Sequence, residues 1–331
     1  MGMQTIGRSK TAWNFFDYLD DETFFGGGLD ITNRCNLHGT HCYWWRQEKN
    51  PELDDKQMID FMKGLRRDGL RIIYLLGGEP LLRPKICAEA GKIFDFTLIF
   101  TNGTLGYPAV NKAMYALSID GPEKIHDNIR GKGTFRKVTE ILDKQSTKVM
   151  VHVTVCNSNK DHLREIVENF IHRKNVSGIY FCFFCPSVKQ DGNKEKISLK
   201  ERDGLIDEIV NFRKEYGNKI FFTERVGYYM KSDGGVGCWN SLEKCITKKV
   251  FKFYAADGKY KYHCAYGAEA ECKHCGCSQV PLMHALKDRD FETFLMVYRD
   301  YWGLSYHNNF MFNSLLKLKT GKSRIDDQPK E

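Results

Sequence analysis

Gly28-Leu29-Asp30-Ile31-Thr32-Asn33-Arg34-Cys35-Asn36-Leu37-His38-Gly39-Thr40-His41-Cys42-Tyr43 is the stretch that decides how the rest of the chain is read. Its first five residues form a short apolar run that predicts a strand; the remainder is turn-forming and dense in soft metal ligands, with Cys35, His38, His41 and Cys42 close together. Working outward, further short runs rich in β-branched and aromatic residues fall at 71–76, 96–101, 115–119, 148–156 and 177–186. Between them, 54–67, 135–144 and 161–174 carry apolar residues at helical spacing, with Asp54 and Asp161 as predicted N-caps. This alternation predicts parallel strands joined by crossover helices, an α/β fold in the form of a partial (β/α)6 TIM-like barrel. The polar and cysteine-bearing residues then fall just after strands, where the loops of such a barrel converge on one mouth.

The chain has 331 residues, enough for one barrel-sized domain and a smaller extension. The divisions expected are a lead-in over 1–27, the barrel core over 28–190, a helical continuation over 191–237, a cysteine-rich region over 238–285 and a helical tail over 286–331. In that tail Phe294, Val297, Tyr298, Tyr301, Phe310, Phe312, Leu315 and Leu316 pack on the barrel or, alternatively, meet a membrane surface peripherally. No secretory signal or membrane-spanning run is evident, which predicts a cytoplasmic protein. A formal charge of +8 favours anionic partners such as a nucleotide, a phosphate or a membrane surface, and nothing singles out nucleic acid.

Twelve cysteines are far more than an ordinary chain of a reducing compartment carries, and there clustered cysteines read as metal ligands rather than disulfides. Two clusters stand out. Cys35 and Cys42 flank the loop after the first strand, whereas Cys238, Cys245, Cys264, Cys272, Cys275 and Cys277 crowd the C-terminal region, with a predicted hairpin turn over 254–259 just before Cys264. Six thiols exceed the four that one site requires. Cys182 and Cys185 are three apart on a predicted strand, face opposite sides, and read as structural residues.

The loop from Thr32 to Tyr43 resembles the signature of the radical S-adenosylmethionine (radical SAM) superfamily, in which cysteines spaced C-x3-C-x2-C hold three irons of a [4Fe-4S] cluster and leave the fourth iron open to SAM. Here Gly39 stands in place of the middle cysteine. Three explanations compete: a substituted form of an active enzyme, a natural loss of activity, or a replacement ligand such as His38 or His41, neither of which stands at the cysteine's own step. In relatives the residue at His41 touches adenine.

Other motifs extend the resemblance. Gly77-Gly78-Glu79-Pro80 matches the family's site for the methionine amine, and Asn102, Ser118 and Asp120 match strand ends that line the SAM pocket. Arg130 is implied to meet the SAM carboxylate or a substrate, and Asn157 and Tyr43 are further implied cofactor contacts. The C-terminal cysteines resemble auxiliary extensions of the SPASM/twitch kind or of the hopanoid adenosyl-transfer kind, implying a second [4Fe-4S] cluster or a zinc ion. The activity implied is reductive cleavage of SAM to a 5'-deoxyadenosyl radical, fed by a donor such as ferredoxin or flavodoxin and directed at a small molecule or isoprenoid lipid. A peptide-modifying maturase is the alternative, less favoured because the segment before Gly26 leaves little room for a leader-binding domain. An inactive SAM- or metal-binding protein is the alternative of another class.

Overall fold

The structure is a computed structural model that describes residues 24–188, 194–262 and 264–297. The tail positions Tyr298, Tyr301, Phe310, Phe312, Leu315 and Leu316 lie outside the described residues.

Six parallel strands form the centre: β1 (Gly26–Asp30), β2 (Ile72–Leu76), β3 (Phe96–Thr101), β4 (Ala113–Ser118), β5 (Val149–Val155) and β6 (Val176–Phe183). They are buried along nearly their whole length, as parallel strands covered on both faces must be. Helices α1 (Asp55–Arg67), α2 (Pro84–Ile93), α3 (Glu123–Arg130), α4 (Thr134–Lys144) and α5 (Leu163–Phe170) supply the crossovers. Asp54 caps α1 in a reciprocal box with Gln57. The predicted cap at Asp161 is corrected: it sits inside a short 3-10 turn, and α5 starts only at Leu163. One crossover has no helix, because β3 and β4 are joined by an irregular loop over 102–112 that carries Gly103 and Gly106 in the left-handed region.

The sheet is larger than the six strands expected. Its order is β6-β5-β4-β3-β2-β1-β7-β8, with β7 (Phe251–Tyr254) parallel to β1 and β8 (Tyr260–Lys261) completing the predicted hairpin. Consecutive glycines are poor strand formers, so pattern alone starts β1 too late. Their lack of side chains is what admits β7: a Cβ on Gly26 would lie 2.5 Å from the Phe251 ring and one on Gly28 2.4 Å from the Phe253 ring.

At the opposite edge, residues 269–278 run against the exit of β6. Phe183 N donates to Gly276 O (2.8 Å), Glu271 N to Pro186 O (3.0 Å) and Ser278 Oγ to Phe181 O (2.6 Å). The cysteine-rich region therefore grips both edges of an open sheet rather than hanging beyond it. Helices α6 (Leu199–Tyr216), α7 (Glu224–Met230), α8 (Gln279–Lys287) and α9 (Phe291–Leu295) pack beside it. Among the described residues no helix is long and apolar enough to cross a membrane.

Candidate active site

The carboxyl ends of the strands open into one cavity of about 370 Å³. Of the residues singled out from sequence, Cys35, His41, Cys42, Tyr43, Gly77, Gly78, Glu79, Asn102, Ser118 and Arg130 line it, as do Cys245, Cys264, Cys272, Cys275 and Cys277. The two thiol groups, more than 200 residues apart in the chain, therefore face a single space.

Its floor is built by the Gly-Gly-Glu turn. Gly78 N donates to Thr32 O (3.0 Å) and Glu79 N to Arg34 O (2.8 Å), which fixes the backbone leading into Cys35. Gly77 has a φ of +117°, and a Cβ on Gly78 would stand 2.0 Å from Arg34 O. The glycines thus permit close approach to the thiol loop itself, where the resemblance implied approach to SAM. Gly78→Ala is expected to push the loop off the turn and destabilise the protein by about 1–3 kcal/mol, read as a lower denaturation midpoint; an unchanged midpoint would count against this docking.

Glu79 is buried, and its carboxylate accepts from Leu81 N (3.0 Å), Thr101 Oγ1 (2.8 Å) and Asn102 N (2.8 Å). It ties the end of β2 to the end of β3, and burial pushes its carboxyl up against those bonds. Asn102 is similarly engaged: its amide donates to Asn36 Oδ1 (2.9 Å) and its oxygen accepts from Thr104 N (2.9 Å). Pro80 starts the 3-10 turn behind Glu79 and does not line the cavity.

Asp120 departs from the place implied for it among the residues that line the SAM pocket. It is fully buried off the cavity, and its carboxylate meets Arg130 Nε (2.5 Å), His41 Nε2 (3.2 Å) and Thr154 N (3.2 Å). The residue lies two positions past the end of β4, where the chain has already left the sheet. Burial opposes its ionisation, but Arg130 and His41 prevail and hold the carboxyl well below the usual range. Asn157 is exposed and stands outside the cavity; the buried amide nearby is Asn159, whose Nδ2 donates to Asp120 O (2.9 Å).

The second thiol group also differs from expectation. Cys238 is exposed and off the cavity. Cys185, read as structural, is buried with its Sγ 4.0 Å from Cys275 Sγ, and it accepts from Gly276 N (3.2 Å). The hydrogen bond with Cys275, joined by the Gly276 N–H and the Arg202 guanidinium, draws the Cys185 thiol down to about 7 despite burial. The alternation argument failed because β6 ends at Phe183. Cys182 also lines the cavity, 3.5 Å from His152 Nε2, and burial pushes its thiol up to about 12. Tyr43 stacks on Tyr266 with ring centroids 4.1 Å apart, joining the first thiol loop to the second.

The model of the radical SAM superfamily matches residues 29–170, which holds the first thiol loop, the Gly-Gly-Glu turn and Asp120. Residues 29–170 form a radical SAM domain. The chain's similar relatives include the AdoMet-dependent heme synthase of Methanosarcina barkeri, 28% identical over 204 residues that cover 56% of this chain and 58% of the relative. The sporulation killing factor maturation protein SkfB of Bacillus subtilis is 32% identical over 160 residues, 42% of this chain and 38% of the relative. The chain thus spans only part of the length of these radical SAM proteins. Among solved structures it is similar to anSMEcpe with bound AdoMet and Kp18Cys peptide, at a TM-score of 0.55 and 17% identity over 77% of this chain and 80% of that one. Streptococcus suis SuiB bound to precursor peptide SuiA gives 0.57 at 14% identity over 90% and 69%. Likeness at this identity speaks for the fold.

Radical SAM enzymes use SAM and a [4Fe-4S] cluster. The cavity has the required position at the strand ends, but the loop offers two thiols where the superfamily's pattern has three, so a three-thiolate cluster does not fit these residues. A side chain at Gly39 is not sterically excluded: a Cβ there would meet nothing closer than Ile129 O at 3.4 Å. At the second group the donors are soft thiols, suited to iron-sulfur clusters or zinc. Among the described residues no three Cys, His, Asp or Glu side chains converge on the position of a single metal ion, so these thiols form a wall rather than a finished cage.

Proposed function

We propose that this radical SAM enzyme acts on an apolar small molecule or isoprenoid lipid held between SAM and a second thiolate-bound metal centre. The observation that carries the reading is the make-up of the shared cavity: along with Cys35 and Cys42 it is lined by Leu242, Phe253, Val280, Leu282 and Met283 and by Cys264, Cys272 and Cys275. Such a wall favours burial of apolar surface at about 25 cal/mol per Å² and excludes water from a reactive intermediate. Arg130, fixed on Asp120 and facing the cavity, is placed to bind a carboxylate. Tyr43, Gly77, Gly78, Glu79, Asn102 and Ser118 complete the proposed SAM surround. Ferredoxin or flavodoxin is the proposed electron donor.

A second reading, peptide modification, is favoured by SkfB among the relatives and by the peptide-bound SuiB structure. Formation of 5'-deoxyadenosine by anaerobically reconstituted protein with SAM and dithionite separates the two. A polyprenyl lipid in detergent is expected to raise it at least several-fold above the substrate-free rate. Stimulation by short peptides and not by the lipid would overturn the substrate proposal. No 5'-deoxyadenosine from either the parent or the Gly39→Cys chain would favour the inactive SAM- or metal-binding protein.

A further inference from the structure

Where a cysteine is missing, a histidine nitrogen has no partner. His41 is only 8% exposed, and its Nδ1 is a buried atom with no hydrogen-bond partner. That nitrogen lies 3.6 Å from the point where a side chain on Gly39 would begin, and that same point is 3.7 Å from Cys42 Cβ. The other ring nitrogen is committed: Nε2 faces the Asp120 carboxylate at 3.2 Å, which leaves Nδ1 as the ring nitrogen open to a further partner. A histidine that donates one N–H to a carboxylate while its other nitrogen is unengaged is the usual arrangement of a metal-binding imidazole. Asp120 is in turn pinned by Arg130 at 2.5 Å, so the ring's orientation is set by buried charge rather than by the loop. His38 is no competitor: it is exposed, stacks on Trp45 at 4.3 Å and does not line the cavity.

We propose that His41 Nδ1 is the third protein ligand of the iron-sulfur cluster, completing with Cys35 and Cys42 the set that Gly39 breaks. The loss of a side chain at Gly39 and the unpartnered nitrogen beside it are then one device. Glycine vacates the space, and the imidazole, held from behind by Asp120, supplies the donor to it. Imidazole is an established alternative to thiolate on iron-sulfur clusters and raises their potential. The ligand role rests on the radical SAM reading above, and the test distinguishes the failure of each.

Iron and acid-labile sulfide are measured on anaerobically reconstituted protein for the parent chain and for Cys35→Ser, His41→Ala, Gly39→Cys and the double variant Gly39→Cys/His41→Ala. The expected result is about four more irons per chain in the parent than in Cys35→Ser, loss of the same irons in His41→Ala, and their return in the double variant. That return shows that His41→Ala did not merely unfold the protein. Pulsed electron paramagnetic resonance of the reduced parent should show a strong nitrogen coupling that changes on [15N]histidine labelling and disappears in Gly39→Cys. Full iron in His41→Ala overturns the proposal. So does a parent no richer in iron than Cys35→Ser when Gly39→Cys gains about four irons, and in that case the radical SAM reading stands. No gain in Gly39→Cys either overturns both.

Discussion

Replacing Asp120 with alanine is expected to lower the stability of this protein by about 3–5 kcal/mol, the cost of stripping one partner from a buried ion pair. The carboxylate has no exposed surface, and three groups depend on it: Arg130 Nε at 2.5 Å, His41 Nε2 at 3.2 Å and Thr154 N at 3.2 Å. Alanine leaves the Arg130 guanidinium largely buried with no counter-charge and the His41 ring free to turn. Because the folded carboxyl is held below its usual range, its contribution is present above the unfolded value of about 3.9 and fades only as pH falls through the lower folded value. The stability gap between parent and Asp120→Ala should therefore stay level from pH 8 to pH 5 and narrow in more acid solution. Urea denaturation at several pH values measures it; a gap under about 1 kcal/mol at neutral pH would show that the pair gives back in desolvation what it gains in attraction.

The same site shows what was legible in the sequence and why. The alternation of strand and helix patterns was readable because each parallel strand is buried on both faces and each covering helix on one, which leaves distinct periods in the chain. β3 was bounded at 96–101 as the structure has it. The hairpin of β7 and β8 was expected, but its place beside β1 was not: four residues, Phe251–Tyr254, carry too little pattern, and the feature that lets them dock is the missing side chains of Gly26 and Gly28 on another strand. The Cys35 loop and the Gly-Gly-Glu turn were legible as local motifs. Their partnership was not, since Gly78 meeting Arg34 is a contact across the fold. That Cys182 and Cys185 line one cavity was missed for a related reason, because a period-two argument holds only while the strand lasts. His41 carried no local sign of its unpartnered nitrogen, which exists because Asp120, 79 residues away in the chain, occupies the other side of the ring.

Arg202 was invisible in the sequence altogether, an arginine in a helix whose charged pattern reads as surface, and Arg202→Met is expected to weaken the metal binding proposed for the second thiol group along with part of the fold's stability. In the structure the side chain is 2% exposed and donates to three carbonyls, Cys275 O (2.9 Å), His274 O (2.9 Å) and Phe184 O (3.2 Å). It thereby holds the loop that carries Cys272, Cys275 and Cys277 against the segment that carries Cys185. Methionine keeps most of the apolar stem but supplies neither a donor nor the guanidinium that stands over the Phe183 ring, and each hydrogen bond to a charged group is worth about 1.5–3 kcal/mol. Their losses are not additive, so a total near 3 kcal/mol is expected. Without the clamp, Cys275 is no longer held 4.0 Å from Cys185, a separation close to the ~3.8 Å that two thiolates take on one tetrahedral ion with 2.3 Å bonds. Metal analysis of Arg202→Met in a Cys35→Ser background, where the first loop cannot contribute, should therefore show less zinc or iron than Cys35→Ser alone. Retention of that metal together with the stability loss would confine Arg202 to the fold, and would mean that the thiols find their metal without being held in register.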